Sequence, residues 1–462
     1  MIDLKDLRAN PDRYRKGAAD KQIPIDIDEL LSIDEQLRGL MAEREQLVAE
    51  KNRIGKDIGR IAGQMKKADA DQKAELQAEM ARLQARPNEI KMQEADLSTK
   101  IADLEPKRQE IWLKVPQPAD DDVPVGANAD GNIEIRKWNP DNFDTSKSFA
   151  ENKGFEPKSH VELGLKLGLM DFERGVKMAG ARSYVLTGNG MRLHQAILRC
   201  AFDYMINENG FTPMSVPVVV REEMMVGTGF FPSGLDQAYH VPETTRGGGY
   251  DLYLTGTGEV GLMGFHEGEI LNFDQLPLKY TTLSTCFRRE AGAAGKDTAG
   301  LYRIHQFDKI EQVVICKADH EESRMWHRNM MGYVETLLQR LKIPYRLLQC
   351  CTGDLGPKNA DMIDIESWMP SRGPEDENGN PMGQYSETHS ASRLYDYQCR
   401  RLNLRYRDPE TKKPVVCHAL NNTVAASPRI LIPIIELYQN EDGTITVPEV
   451  LRPYMNGMEV IS

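Results

Sequence analysis

No run of about 18 consecutive apolar residues occurs in this chain, so no membrane-spanning helix is expected. The amino terminus, Met1-Ile2-Asp3-Leu4-Lys5, carries charge where a secretory signal would begin its apolar core, so no such signal is expected either. Cysteine is sparse. Seven are spread from Cys200 to Cys417, none in a Cys-x-x-Cys pair, and Cys350 and Cys351 are adjacent. That spacing suits neither a zinc knuckle nor a disulfide framework, and a reducing, cytoplasmic setting is expected. Gly-x-x-x-x-Gly-Lys-Ser/Thr is missing, as is a dinucleotide-binding glycine fingerprint after a strand, so a nucleotide would not be bound by a P-loop. Excess basic charge is missing too. The net charge of −12 excludes indiscriminate polyanion binding and leaves that task to local basic patches.

The 462 residues, 40% hydrophobic and 28% charged, suffice for two or three domains with a substantial core. Apolar residues recur first at Leu30, Ile33, Leu37, Leu40, Leu47, Ile54, Ile58, Ile61 and Met65, with Arg44 and Lys51 on the same stripe. A second series runs Leu76, Met80, Leu83, Ile90, Leu97, Ile101, Leu104 and Ile111, with Pro87, Glu94 and Arg108 in the gaps. Steps of three and four give the 3.5-residue period of a coiled-coil seam. Each series predicts a helix of roughly 50 Å at 1.5 Å per residue, and the polar stretch 66–71 predicts a reversal, hence an antiparallel hairpin. Pro87 is expected to bend the second helix. Residues 51–67 hold Lys51, Arg53, Lys56, Arg60, Lys66 and Lys67 against one acid, Asp57. A solvated helix face is one reading of this cluster; a phosphate-tracking surface is the other. Gly55, Gly59 and Gly63 suggest a mobile tip or close approach by another molecule.

Residues 116–124, rich in proline and acid, read as the start of a linker. Beyond it, a helical stretch at 191–207 and β-rich runs at 214–220, 278–282, 312–316 and 362–368 mix without βαβ regularity. They predict an α+β domain on a largely antiparallel sheet. Four segments concentrate chemistry: Thr257-Gly258-Glu259; Phe287-Arg288-Arg289-Glu290, continuing through a Gly/Ala-rich stretch to His305-Gln306-Phe307-Asp308-Lys309-Ile310-Glu311; Glu387-Thr388-His389-Ser390; and Asn421-Asn422-Thr423 leading to Arg429. If residues 288–290 lie on a strand, Arg288 and Glu290 share a face, able to hold a phosphate or carboxylate beside a base amine. The Gly/Ala-rich loop would cover the ligand. Phe307 offers a stacking surface and Arg429 a planar cation. Glu387 and Ser390 are hard oxygen donors suited to Mg²⁺.

Together these segments resemble the class II aminoacyl-tRNA synthetases: Phe287-Arg288-Arg289-Glu290 is similar to motif 2, residues 421–429 to motif 3, and residues 210–217 to the dimer-forming motif 1. Within that class the resemblance is to the seryl-tRNA synthetases of the common bacterial and eukaryotic type, and it covers essentially the whole chain. Its more specific marks are the arm, His305-Gln306-Phe307-Asp308-Lys309, and Pro448-Glu449-Val450-Leu451-Arg452-Pro453. The resemblance implies an α+β fold, a class II antiparallel sheet flanked by helices, with an amino-terminal two-helix coiled-coil arm. The expected division is arm 1–115, linker 116–150 and catalytic domain 151–462. It implies a homodimeric serine–tRNA ligase that uses ATP and Mg²⁺, without zinc, to form seryl-adenylate and charge tRNA(Ser), and by extension tRNA(Sec).

By the same resemblance, Arg288 holds the α-phosphate and the serine carboxylate, and Glu290 meets the adenine amine. Phe307 and Arg429 sandwich the adenine, and Glu387 and Ser390 hold Mg²⁺. Thr257, Glu259, Glu311, Asn421 and Thr423 surround the serine. Lys51, Arg53, Lys56 and Arg60 contact tRNA. Departures stand beside the matches: Glu387-Thr388-His389-Ser390-Ala391-Ser392-Arg393 replaces the usual Glu-x-Ser-Ser-Cys-Ser-Asn, Gly258 stands in the usual Thr-Ala-Glu, and about ten residues at 373–383 look inserted. The alternative is a paralogue that makes the adenylate for a non-tRNA acceptor or a regulatory role. Such relatives typically lack the arm present here.

Overall fold

The computed structural model describes residues 1–292, 299–377 and 379–462. They fall into two compact units. One comprises residues 4–11 and 24–115, the other residues 1–3, 12–23 and 116–462.

The smaller unit is built on two long helices, α1 (Ile27–Met65) and α2 (Ala70–Lys114). Asp26 caps the first, accepting from the N–H groups of Asp28 and Glu29, and Asp69 caps the second, accepting from Gln72 N–H. The 3.5-residue seam is the buried one. Ile33, Leu37 and Ile101 cluster with Leu40, Leu104 and Ile111 packed against them, and Ile54, Ile61, Ile90 and Leu97 are buried. One polar interruption of each stripe meets the other, and Arg108 finds its partner elsewhere on the first helix. Lys51 bonds Glu94 at 2.6 Å, and Arg108 lies 3.5 Å from Asp34, a buried carboxylate also paired with Arg8 and Arg38. The second helix continues through Pro87, and through Pro106 as well.

An eight-stranded sheet organises the larger unit. Its strands are β1 (Ile133–Trp138), β2 (Thr212–Met214), β3 (Leu278–Phe287), β4 (Gln306–Cys316), β5 (Tyr345–Gln349), β6 (Asp361–Met369), β7 (Gln384–Tyr395) and β8 (His418–Ser427). The spatial order is β1-β5-β6-β7-β8-β4-β3-β2, antiparallel throughout except for the parallel β2–β3 pair. The expected strand at 214–220 is divided. Residues 212–214 form the sheet edge, Val219–Arg221 joins a separate three-stranded sheet, and Pro217, which has no N–H to offer a ladder, stands between them.

Helices α3 (Gly188–Asn207), α4 (His320–Arg340) and α5 (Leu431–Leu437) bring apolar side chains to one sheet face. Leu193, Ile197, Met330, Val334 and Leu431 meet Ile310, Val314, Ile363, Ile365, Leu420 and Val424 there. Strand side chains alternate, so the neighbours Phe307, Lys309, Glu311, Asp364 and Thr423 are committed to the opposite face.

Residues 116–150 are not a linker: they belong to the larger unit and supply β1, paired with β5. Gln117 N–H donates to Pro357 O at 2.8 Å, and Asp120 is paired with the buried Arg393. Arg393, which stands where the family usually has Asn, also reaches Asp361 at 2.9 Å. Burial raises the Asp361 carboxyl, but hydrogen bonding from His327 and the charge of Arg393 more than reverse this and hold it below the usual range. The segment where an insertion is expected connects β6 to β7, and there Met382 N–H donates to Pro374 O at 2.9 Å and Asp376 N–H to Asn380 O at 2.8 Å. The Gly/Ala-rich stretch after Glu290 lies largely outside the described residues.

Candidate active site

Strand β4 is the spine of the site. Phe307, Lys309 and Glu311 follow at every second position and therefore project together from the face opposite the helices. Glu311 sits directly across from Thr423 of β8 in the ladder. Lys309 ties this row to the Thr257 segment. Its ammonium donates to Thr257 Oγ1 at 2.8 Å and is ion-paired with Glu311, all three residues being buried. Burial first, and then the charge of Glu259, push the Glu311 carboxyl above its ordinary range against the pull of Lys309. Glu259 is anchored more fully. Both of its oxygens accept from Lys358, at 2.7 and 2.9 Å, and one also accepts from Gln398 at 2.6 Å. Two buried carboxylates are thus matched by two ammonium groups, the condition under which burying them is tolerable.

Arg288 and Glu290 reach the site differently from the expectation. Strand β3 ends at Phe287, and Glu290 has φ +52°, a left-handed conformation that breaks any two-residue alternation. The chain turns, yet both side chains line the same cleft, with Phe307, Lys309, Glu387, Thr423, Arg429 and Tyr302 among the other lining residues. The Arg288 N–H donates to His305 O at 2.9 Å and its Nε to Gly256 O at 3.4 Å. Glu290 accepts from Arg303 at 2.8 Å. The Arg288 guanidinium lies over the Phe307 ring, 5.2 Å from its centroid, on the ring expected to stack on adenine.

Arg429 sits over the Tyr302 ring at 4.4 Å. It donates to the carbonyls of Tyr302 and Glu387, both at 3.2 Å, and lies 3.5 Å from the Glu387 carboxylate. Arg372 covers the same tyrosine at 4.1 Å.

Glu387 and Ser390 lie on β7, and Ser390 pairs in the ladder with Asp364 of β6. Burial, followed by the charge of Glu387, raises the Asp364 carboxyl well above its usual range, while the Ser390 hydroxyl bonds to it. One Asp364 oxygen is buried and finds no hydrogen-bond partner among the described residues. A crowded pair of carboxylates beside a hydroxyl, with acceptor capacity unused, fits a hard divalent cation. Ser390 and Asn421 are not among the described residues lining the cleft of Arg288 and Glu290. Asn421 lies along β8 from Thr423, and its amide nitrogen is buried without a hydrogen-bond partner among the described residues. His389 is buried, which lowers it to about 3 and keeps it neutral.

The residues missed by sequence reasoning are Lys309, Lys358, Gln398, Tyr302 and Asp364. Lys309 carried a readable signal, the two-residue spacing from Phe307 to Glu311. Lys358 carried none, since it meets Glu259 from 99 residues away. The four arm residues differ among themselves. Lys51 is engaged by Glu94 across the hairpin, and Arg60 lies 3.6 Å from Asp57 on its own helix. Arg53 and Lys56 are exposed, and a Cβ added to Gly55, Gly59 or Gly63 would meet nothing within 4 Å.

Residues 1–116 match the family model described as the seryl-tRNA synthetase N-terminal domain, and residues 241–438 match that of the class II tRNA synthetase core domain (G, H, P, S and T). The chain is 38% identical to the serine–tRNA ligase of Deinococcus radiodurans over 100% of its own length and 99% of that protein. Its fold is similar to that of seryl-tRNA synthetase from Pyrococcus horikoshii complexed with ATP (TM-score 0.83, 35% identity, 100% and 99% coverage). It is also similar to the cytoplasmic serine–tRNA ligase of Naegleria fowleri in complex with AMP (TM-score 0.78, 29% identity, 98% and 96% coverage).

Proposed function

The chain belongs to the seryl-tRNA synthetase family and is a serine–tRNA ligase, and we propose from that premise how its residues divide the work. The observation that carries the reading is the single strand that sets an aromatic face, an ammonium and a carboxylate in a row, at Phe307, Lys309 and Glu311, with Arg288 lining the same cleft as Phe307 and Lys309.

ATP enters the cleft with its adenine between Phe307 and Arg429 and its amine toward Glu290. Both arginines are parked on aromatic rings, and as the nucleotide binds Arg288 leaves Phe307 for the α-phosphate while Arg429 closes over the adenine. Serine sits against Thr257, Glu311 and Thr423, with its carboxylate toward Arg288. Glu259, already saturated by Lys358 and Gln398, acts by holding the Thr257 segment in place. The serine carboxylate oxygen attacks the α-phosphorus, a P–O bond forms, and the bond to pyrophosphate breaks. Arg288 and Arg429 neutralise the charge that accumulates, and the gain comes from positioning and electrostatics more than from proton transfer. Mg²⁺ would be held by Glu387 and Ser390 with Asp364 behind them, and would supply charge neutralisation on the triphosphate. Alanine is disfavoured because it offers no hydroxyl to hydrogen-bond with Glu311 and Thr423.

The arm is the tRNA-binding element, with Arg53, Lys56 and Arg60 tracking phosphates and Lys51 contributing while it also holds the hairpin. The edge strand Thr212–Met214 and exposed apolar side chains such as Met178 and Met191 suit a homodimer face. No helix among the described residues is long and apolar enough to cross a membrane, and the buried free cysteines suit the cytoplasm. Serine-dependent exchange of pyrophosphate into ATP, followed by charging of tRNA(Ser), tests this reading. Exchange with another amino acid and none with serine would overturn it.

A further inference from the structure

Glu436 is a fully buried carboxylate on helix α5, which starts just after Arg429, and the chemistry proposed above makes no use of it. Among the described residues it accepts four hydrogen bonds. The His160 N–H and Nδ1 supply two, at 3.0 and 2.7 Å, and the Ser371 N–H and hydroxyl supply two more, at 3.0 and 2.6 Å. His160 extends this hub by one step, because its Nε2 lies 3.2 Å from the Leu301 nitrogen. A backbone N–H can only donate. Nε2 is therefore the accepting nitrogen, and Nδ1 carries the hydrogen donated to Glu436. The approach is close: a Cβ added to Gly300 would sit 2.5 Å from His160 Nε2, and Gly300 has φ +80°.

Each branch of the hub ends beside one member of a stack at the nucleotide cleft. Leu301 precedes Tyr302, Ser371 precedes Arg372, and α5 follows Arg429. Arg372 and Arg429 lie over the Tyr302 ring at 4.1 and 4.4 Å, and Arg429 also donates to the Tyr302 carbonyl at 3.2 Å. Neither His160 nor Glu436 is among the described residues lining the cleft.

We propose that His160 and Glu436 are positioning residues for ATP: through Leu301, Ser371 and α5 they set the Arg372–Tyr302–Arg429 stack that receives the nucleotide. The proposal rests on the reading that Arg429 closes over the adenine, and adds to it what holds that arginine and its ring in register. A buried carboxylate with a full set of donors has one low-energy arrangement, so it fixes the three segments together. Positioning of this kind is felt in binding, because a small displacement of the groups that meet the substrate weakens all of their contacts at once. The serine groups are anchored separately. Lys309 holds Thr257 and Glu311, and Lys358 and Gln398 hold Glu259. Loosening the hub should therefore act on ATP and spare serine.

Three variants of the full chain test this. His160→Asn keeps an N–H donor for Glu436 near the Nδ1 position and removes the acceptor for Leu301. Gly300→Ala drives the same segment off His160 from a partly exposed position. His160→Gln carries an amide oxygen to the neighbourhood of Nε2 and so restores the acceptor. Pyrophosphate exchange is measured at varied ATP and varied serine, with thermal melts alongside. In His160→Asn and Gly300→Ala the KM for ATP is expected to rise roughly tenfold, while the KM for serine at saturating ATP changes by less than about twofold. His160→Gln should lie nearer the unmodified protein than His160→Asn does. An unchanged KM for ATP, equal rises in the two KM values, or a His160→Gln no better than His160→Asn would overturn the proposal. Should His160→Asn fail to fold, Gly300→Ala decides by the same split. Arg429→Ala is the control for the underlying reading: if it leaves the KM for ATP unchanged, the adenine assignment fails rather than the hub.

Discussion

The Lys309 ammonium donates to the Thr257 hydroxyl at 2.8 Å while neutralising Glu311 beside it, so one buried cation fixes two of the groups proposed to read serine. Removing it leaves a buried carboxylate uncompensated, at a cost of about 3 kcal/mol. Lys309→Met is expected to raise the KM for serine roughly 100-fold with a smaller effect on the KM for ATP. Lys309→Arg should recover part of the loss if charge, rather than shape alone, is required. Steady-state exchange at varied serine and ATP checks both.

Glu311 gives the site a pH signature. Its folded-state carboxyl lies above the ordinary range because of burial and Glu259, so it gains a proton sooner than a free carboxyl as pH falls. Serine affinity should therefore weaken on acidification at a pH above the usual glutamate value. The same raised value means that the ionised form opposes folding near neutrality and that this opposition is relieved as pH falls. Glu311→Gln should weaken serine binding at pH 7 and flatten the profile, measured by serine titration between pH 5 and 8.

On the arm, Arg53→Gln, Lys56→Gln and Arg60→Gln together should weaken tRNA binding and reduce the slope of log affinity against log salt by about 2 to 3, with serine-dependent exchange retained. Lys51→Gln should differ from these. It breaks the bond to Glu94 and so should also lower the thermal stability of the hairpin, which circular dichroism of the full chain can follow.

Lys21 is buried, with its ammonium donating to the carbonyls of Gly356 and Asn359, and burial lowers it to about 7. The unfolded chain binds the extra proton between that value and 10.5, so stability should rise with pH across the window, by about 1.4 kcal/mol per unit at most. Lys21→Met should abolish that slope, and denaturant melts at pH 7 and 9 are the measurement.

The arm was legible because its signal is periodic and local. The 3.5-residue stripe located both helices, and even the interruptions at Lys51 and Glu94 were visible, although not as partners. The site was legible only through the resemblance and through one geometric rule applied at the wrong place. Two-residue alternation was expected at Arg288 and Glu290, where the strand has ended and Glu290 is left-handed, but it holds at Phe307, Lys309 and Glu311. What stayed hidden depends on long-range contact. Lys358 reaches Glu259, and Asp120 reaches Arg393, across spans that no local pattern encodes. For the same reason residues 116–150 read as a linker from composition, although 133–138 form an edge strand of the sheet.

The larger unit holds residues 12–23 and takes up the chain again from Pro116, and within it Gly17 lies close enough to Pro118 that an added Cβ would sit 3.1 Å from the Pro118 Cα. The helical arm is thus a guest inserted between two neighbouring points of its host. Such a guest can be exchanged as a cassette provided residues 4–11, which belong to the same unit and hold Arg8 against Asp34, are exchanged with it. Which RNA is recognised and which amino acid is activated would then be separately transplantable traits, and chimaeras pairing this host with a foreign arm would inherit one specificity from each parent.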